Sequence, residues 1–317
     1  MRVLILGGTR FTGRKLVESL LPLNLELVLL SRKPISFNGK LRAIFDERVS
    51  GLKLLDGERF DLVIDFICYS ADDALTLFDR IQTKAYVMIS SSWVPRLWLG
   101  SDANEISYES QFPNSTLPPQ TYRYLLGKLS AEREVVKQRN TGCQATILRM
   151  PIVLGPGDHT KRSSFYTNRL LDGNPVVLVD GGVNYFQFAY VDDLARAITK
   201  WIFDPHINLY TIWNAIPDTG LQLKNFLNDL SLQLGVEPEF VEIESKLIRK
   251  WFPQYLEDEP FSGELCINQT SGNIFKYTGV KGNMTANKSM LRSDADAKFD
   301  LIRAKELEFI FERTAHR

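Results

Sequence analysis

Short apolar runs alternate with stretches whose apolar residues recur at helical spacing, from the first residues to about residue 150. Val3-Leu4-Ile5-Leu6 predicts a strand buried on both faces, because a continuous apolar run leaves neither side of the pleat to water. Gly7-Gly8 breaks the run, and over residues 11–21 the spacing of Leu16, Val17, Leu20 and Leu21 predicts a helix. The rhythm then repeats. Residues 25–30 predict a second strand ending at Ser31-Arg32-Lys33-Pro34, and residues 60–66 a third, followed by a helix through Ala74, Leu77, Phe78 and Ile81. Residues 85–89 predict a fourth strand ending in Ser90-Ser91-Ser92, and residues 145–148 a fifth. Between these two, residues 93–120 carry Pro, Asn and Ser and predict a long loop, a common site of function. Leu125, Leu126, Leu129, Val135 and Val136 then mark a helix. Strands alternating with helices predict an α/β fold with a doubly wound parallel sheet, whose ligand belongs at the carboxyl ends of the strands.

Beyond Pro151 the pattern loosens. Residues 191–198 predict a helix with Asp192 or Asp193 as its N-cap, residues 210–214 a strand, and residues 221–234 an amphipathic helix. Residues 252–294 are rich in Gly, Asn, Ser and Pro and read as a surface wrap, while Phe299, Ile302, Leu307, Ile310 and Phe311 fit a closing helix.

The first strand, glycine turn and helix have a chemical use. Helix N-terminal amides beside such a turn can hold an anion. The glycines are Gly7, Gly8 and Gly13, in the frame G-x-x-R-x-x-G with Arg10 at the middle glycine position, which departs from the G-x-G-x-x-G dinucleotide fingerprint. A turn that only packs strand against helix would look the same, so nucleotide binding rests on the motif's place in the β-α-β-α succession.

Composition removes several alternatives. Lys plus Arg and Asp plus Glu each number 38, so no global basic field draws the chain to nucleic acid or to an acidic membrane. Cys68, Cys143 and Cys266 share no CxxC or CxH spacing, which predicts a reduced protein without a cysteine metal site. His159, His206 and His316 are too dispersed for a metal centre or a Ser-His-Asp triad. No run approaches the ~18 apolar residues of a membrane span, and the opening run is too short for a signal peptide, so a cytoplasmic location is expected.

Four separated pieces now act together: GGTRFTG at 7–13, ISSS at 89–92, Tyr124-x-x-x-Lys128, and ILRMPIVLGPGD at 147–158 followed by YVDDLARAI at 190–198. In this order they resemble the extended short-chain dehydrogenase/reductases, the NAD(P)-dependent epimerase/dehydratase family, over roughly residues 1 to 215. The resemblance implies a Rossmann dinucleotide-binding domain of residues 1–157 plus about 187–215, and a smaller, mainly C-terminal substrate-binding lobe of about 158–186 plus 216–317. It implies an NAD(P)-dependent oxidoreductase or epimerase/dehydratase acting on a hydroxyl or carbonyl of a small substrate, sugar-like or another alcohol or ketone. The implied catalytic residues are Ser92, Tyr124 and Lys128, with Ser91 replacing Ser92 if the loop is shifted by one. Those implied around the cofactor are Gly7, Thr9, Arg10, Phe11, Thr12, Gly13, Ser31, Arg32, Phe66, Ser90, Lys128 and Pro151.

The implied chemistry suits the spacing. Tyr124 and Lys128 are four apart on a predicted helix and share a face. An ammonium beside a phenol favours the phenolate, lowering a pKa that is ordinarily near ~10. A second Y-x-x-x-K, Tyr277 to Lys281, sits in a Gly-rich segment, and Tyr122 has no lysine four residues on. Asp192-Asp193 reads as helix capping and Cys68 as a small buried hydrophobe.

NADP is the expected cofactor, with NAD as the alternative. Where NAD-binding family members end the second strand in an acid, this chain has Ser31 followed by Arg32, which with Arg10 could hold a 2′-phosphate. Members that bind nucleotide-diphosphate sugars often carry Asn and Arg where matching gives Ile152 and Phe186, so a less charged substrate is expected. A small-molecule substrate is the expected partner. Membrane and nucleic acid are not expected, and a homodimer is one candidate assembly. Two other classes compete: the GGTRF variant also resembles the chloroplast stem-loop RNA-binding proteins, and a dinucleotide-sensing regulator without turnover would carry the same fold.

Overall fold

The computed structural model describes residues 1–97, 119–160, 162–186, 188–204, 212–217, 221–258, 273–277 and 303–310. Its centre is a sheet of eight parallel strands: β1 (Arg2–Leu6), β2 (Glu26–Ser31), β3 (Arg42–Phe45), β4 (Arg59–Asp65), β5 (Gln82–Ser91), β6 (Gln144–Met150), β7 (Ile212–Pro217) and β8 (Asn273–Tyr277). Their order is β8-β7-β6-β5-β4-β1-β2-β3, so the chain reverses its direction of travel across the sheet between β1 and β4. In a doubly wound sheet that reversal opens a crevice at the carboxyl ends of the strands.

The strand alternation divides the apolar runs between two cores. Val3, Ile5, Leu27, Leu29, Leu62, Ile64, Val87 and Ile89 face helix α1 (Phe11–Leu20) and the helix Val191–Ile202 on one side. Leu4, Leu6, Val28, Leu30, Val63, Tyr86, Met88, Ala145 and Ile147 face α2 (Arg48–Lys53), α3 (Ala71–Phe78) and α4 (Pro119–Gln138) on the other. Each run is apolar throughout because successive side chains enter different cores, both dry.

Two compact units make up the chain. One comprises Met1–Val153, Ala189–Asp218 and Asn268–Gly279; the other comprises Leu154–Phe188, Thr219–Ile267 and Val280–Arg317. Strand β8 departs from the expected surface wrap, since it lies parallel to β7 with Pro217 opposite Tyr277. Within the second unit, strands Val176–Val179 and Phe240–Ile243 pair in parallel, and Arg169 and Arg303 both donate to the buried Glu306 carboxylate. Residues 303–310 form a helix, whereas Phe299, Ile302 and Phe311 of the expected closing helix lie outside the described residues.

Candidate active site

The carboxyl edge of the first unit is stitched at its centre by backbone bonds. The Gly7 amide donates to the Leu30 carbonyl (2.9 Å) and the Phe66 amide to the Leu6 carbonyl (3.0 Å), tying the exits of β2, β1 and β4 together. Gly7 has φ +81°, a conformation that favours glycine. Gly13 is needed for a different reason: a Cβ there would stand 2.7 Å from the Gly7 carbonyl oxygen and 3.1 Å from the Gly8 Cα. Helix α1 therefore begins pressed onto the turn, with no acidic residue in its first turn to compete for an anion.

The remaining residues expected at this end differ in what they offer. Thr9 and Ser31 are buried and share a 2.6 Å hydrogen bond between hydroxyls. Phe11 holds a positive φ of 41° at the helix start, and Thr12 and Pro151 are buried while Phe66 is half-buried. Arg10 is exposed. Arg32 is 67% exposed, with its Nε 4.0 Å from a carboxylate oxygen of Glu47, itself largely exposed.

The other end is built around α4. Leu125 and Leu129 pack with Val94 and Leu97, which seats the helix beyond the end of β5. Lys128, 2% exposed, points inward: its ammonium donates to the carbonyls of Cys68 (2.9 Å) and Ile89 (2.8 Å) and lies 4.5 Å from the centre of the Tyr69 ring. Burial lowers the Lys128 pKa from its ordinary value. Tyr124 stays 45% exposed, its ring centre 6.4 Å from that of Tyr69. Tyr122, also on α4, packs partly buried against the Leu125–Leu129 cluster.

The three serines at the end of β5 have three different fates. The Ser90 hydroxyl donates to Glu132 (2.6 Å), whose carboxylate is also held by Arg149 at 3.0 and 2.6 Å, all in the interior. The Ser91 hydroxyl accepts from the Trp93 amide (3.2 Å). Ser92 is fixed by its amide on the Met150 carbonyl (2.9 Å), and its buried hydroxyl has no partner among the described residues. A buried hydroxyl left unpaired is costly, and a group kept in that state commonly awaits a ligand.

Sequence reasoning missed the groups beneath this end. Asp65, fully buried at the end of β4, takes a bidentate pair from Arg48 (3.0 and 2.7 Å), the Tyr86 hydroxyl (3.0 Å) and the Ile67 amide (2.9 Å). Burial alone would lower the Arg48 pKa, but the Asp65 carboxylate overcomes it and the net direction is upward. A carboxylate inside the apolar run 60–66 was the available signal, because a buried acid needs such partners. Burial, and then the Asp65 charge, push the Cys68 thiol up to about 12, which fits a small buried side chain.

The expected capping by Asp192 or Asp193 is corrected. Tyr190 occupies the N-cap, with no side-chain capping bond. The carboxylates lie within the first turn instead, Asp192 paired with Lys15 on α1 (3.0 Å) and Asp193 with Arg196. Among the described residues no cluster of His, Cys, Asp and Glu could hold a metal ion, and no helix is long and apolar enough to cross a membrane. Of the second Y-x-x-x-K, Tyr277 ends a strand rather than opening a helix, and Lys281 lies outside the described residues.

The family model described as "NAD dependent epimerase/dehydratase family" matches residues 3–212. A curated relative, the chloroplast stem-loop binding protein of 41 kDa b of Arabidopsis thaliana, is 25% identical over 215 residues. That match takes in 62% of this chain and 53% of the relative, so the chain spans about half the relative's length. Among solved structures, UDP-glucuronic acid 4-epimerase from Bacillus cereus in complex with NAD is similar with a TM-score of 0.60 at 18% identity, over 78% of this chain and 89% of that one. The dTDP-glucose 4,6-dehydratase from Bacillus anthracis in complex with NAD gives 0.58 at 18% identity, over 77% and 85%. Likeness at this identity shows a shared fold.

Proposed function

The chain belongs to the NAD-dependent epimerase/dehydratase family, enzymes of the extended short-chain dehydrogenase type, and from that premise we propose that Tyr124 is its proton-transfer group. The substrate is a small molecule whose hydroxyl or carbonyl carbon exchanges hydride with a nicotinamide. The observation that carries this reading is the end of β5. The Ile89 carbonyl there holds the Lys128 ammonium, and three residues on the buried Ser92 hydroxyl is unpartnered.

The residues present fit a nicotinamide dinucleotide. Gly7 and Gly13 let the turn lie close to the β4 exit and to the start of α1, where a Cβ would meet protein atoms at 2.6 and 2.7 Å, and the first turn of α1 is free of carboxylates. When bound, the nicotinamide gives or takes the hydride. Tyr124 gives its proton to the substrate oxygen in reduction and takes it in oxidation. Ser92 donates a hydrogen bond to the same oxygen, and the Lys128 charge favours the Tyr124 phenolate.

NADP is preferred over NAD in this reading, because Ser31 rather than an acid ends β2 and the Arg10 and Arg32 side chains stand in water beyond it. A sugar-like substrate without a nucleotide diphosphate is preferred because Ile152 and Phe186 stand where diphosphate-binding members often carry Asn and Arg; both are buried, and Phe186 packs with the Phe188 and Phe226 rings. Micromolar binding of several UDP- or dTDP-sugars would overturn that part.

Turnover tests the proposal. Tyr124→Phe should lower single-turnover hydride transfer by ~10²–10⁴-fold. Near-normal turnover would remove Tyr124 from the mechanism. The curated relative supports a second reading, an RNA-binding protein on this fold. It predicts salt-dependent RNA affinity, which the balanced charge of 38 basic and 38 acidic residues disfavours.

A further inference from the structure

The segment leaving β4 is pinned along its length. Asp65 takes the Ile67 amide (2.9 Å), and Asp73 on α3 takes the Tyr69 amide (2.8 Å). The Ala71 amide donates to Ser130 on α4 (3.2 Å). Gly127 completes the clamp, since a Cβ there would stand 2.5 Å from the Tyr69 carbonyl oxygen. The segment thereby presents two things to Lys128, the Cys68 carbonyl and the face of the Tyr69 ring.

The charges around Lys128 explain why the ring matters. The titratable groups around the ammonium are Asp65 at the β4 exit, Glu132 on α4, Asp73 on α3, and the Cys68 thiol, which burial keeps protonated and uncharged. Asp65 is already bound by Arg48, Glu132 by Arg149, and Asp73 lies 3.4 Å from the Arg48 Nε. Two backbone carbonyls accept from the ammonium. The electron-rich face left to it is Tyr69, and a ring face attracts a desolvated cation strongly.

We propose that Tyr69 is a positioning residue for proton transfer: its ring face holds the Lys128 ammonium charged and in place, four residues along α4 from Tyr124. This rests on Tyr124 and Lys128 being the proton-transfer pair. Tyr69 also meets the Tyr124 ring, so one side chain touches both members.

Ionisation of Tyr124 reads this directly, on the protein without substrate. Phenol absorbance is titrated with pH in each protein and in its Tyr124→Phe counterpart, and the difference isolates Tyr124. Tyr69→Phe keeps the ring and should leave the Tyr124 midpoint where it is. Tyr69→Leu should move it up by about one pH unit, and Lys128→Met by at least as much. Tyr69→Trp, with the stronger ring face, should move it down, which decides the matter if the leucine variant does not fold. An unmoved midpoint in Tyr69→Leu or Tyr69→Trp, with a raised one in Lys128→Met, would overturn the role of Tyr69 and leave the pair intact. An unmoved midpoint in Lys128→Met would overturn the pair, and this proposal with it.

Discussion

The two ends of the carboxyl edge are made of different materials. The glycine turn is contiguous in sequence, is held by a backbone hydrogen bond and close approach, and keeps Arg10 and Arg32 in water. The α4 end gathers residues 65–73, 86–92, 127–132 and 149, and buries Arg48, Lys128 and Arg149 against carboxylates and carbonyls. An anion site built from amides needs little more than shape. A site that holds charge in the interior depends on every partner, because losing one leaves an ion without compensation. Substitutions should therefore act differently at the two ends.

The largest effect should come from Asp65→Asn, which leaves the Arg48 guanidinium buried beside a neutral amide. Removing one partner of such a pair costs about 3–5 kcal/mol, to be read from urea unfolding of the two proteins. A change below about 1 kcal/mol would place this pair with solvent-screened ones. At the other end, Gly13→Ala should be milder, about 1–3 kcal/mol. Its Cβ meets backbone at the Gly7 carbonyl rather than a side chain that can move away. A stability equal to wild type would show that the turn can open.

Cys68 gives an effect that appears only at high pH. Its thiol has an ordinary pKa of 9.0, raised to about 12 in the folded protein. The folded state holds the proton more tightly, so this contribution is complete below about pH 9 and is lost as pH climbs towards 12. The urea midpoint should fall across that window more in wild type than in Cys68→Ala, and parallel curves would contradict the burial. Smallest should be Arg14→Ala, which removes an exposed pair with Glu18 and should change stability by under about 0.5 kcal/mol.

The same contrast decides what could be read from sequence. Strands β1, β2, β4, β5 and β6 announce themselves because burial on both faces demands an unbroken apolar run. Strand β3 does not, since Arg42-Ala43-Ile44-Phe45 lies at the sheet edge largely in water, and β8 is hidden among Gly and Asn. The glycine turn is legible because its parts are neighbours in the chain. Lys128 is legible as one of a helical pair, but what holds it lies about sixty and about forty residues away, at Cys68 and Ile89. No local pattern specifies those contacts. The Asp192-Asp193 reading failed at finer scale: acids near a helix start signal the first turn, and only geometry tells the cap from the residues after it.

The central claim is that the glycine turn holds a dinucleotide and α4 does the proton chemistry. Calorimetric titration of NADP and NAD into three proteins, wild type, Gly13→Ala and Tyr124→Phe, tests it most directly. The account predicts one dinucleotide per chain, weakened at least about tenfold, or about 1.4 kcal/mol, by Gly13→Ala and unchanged by Tyr124→Phe. Binding of neither dinucleotide to the folded wild type, or affinity indifferent to Gly13→Ala, would contradict it.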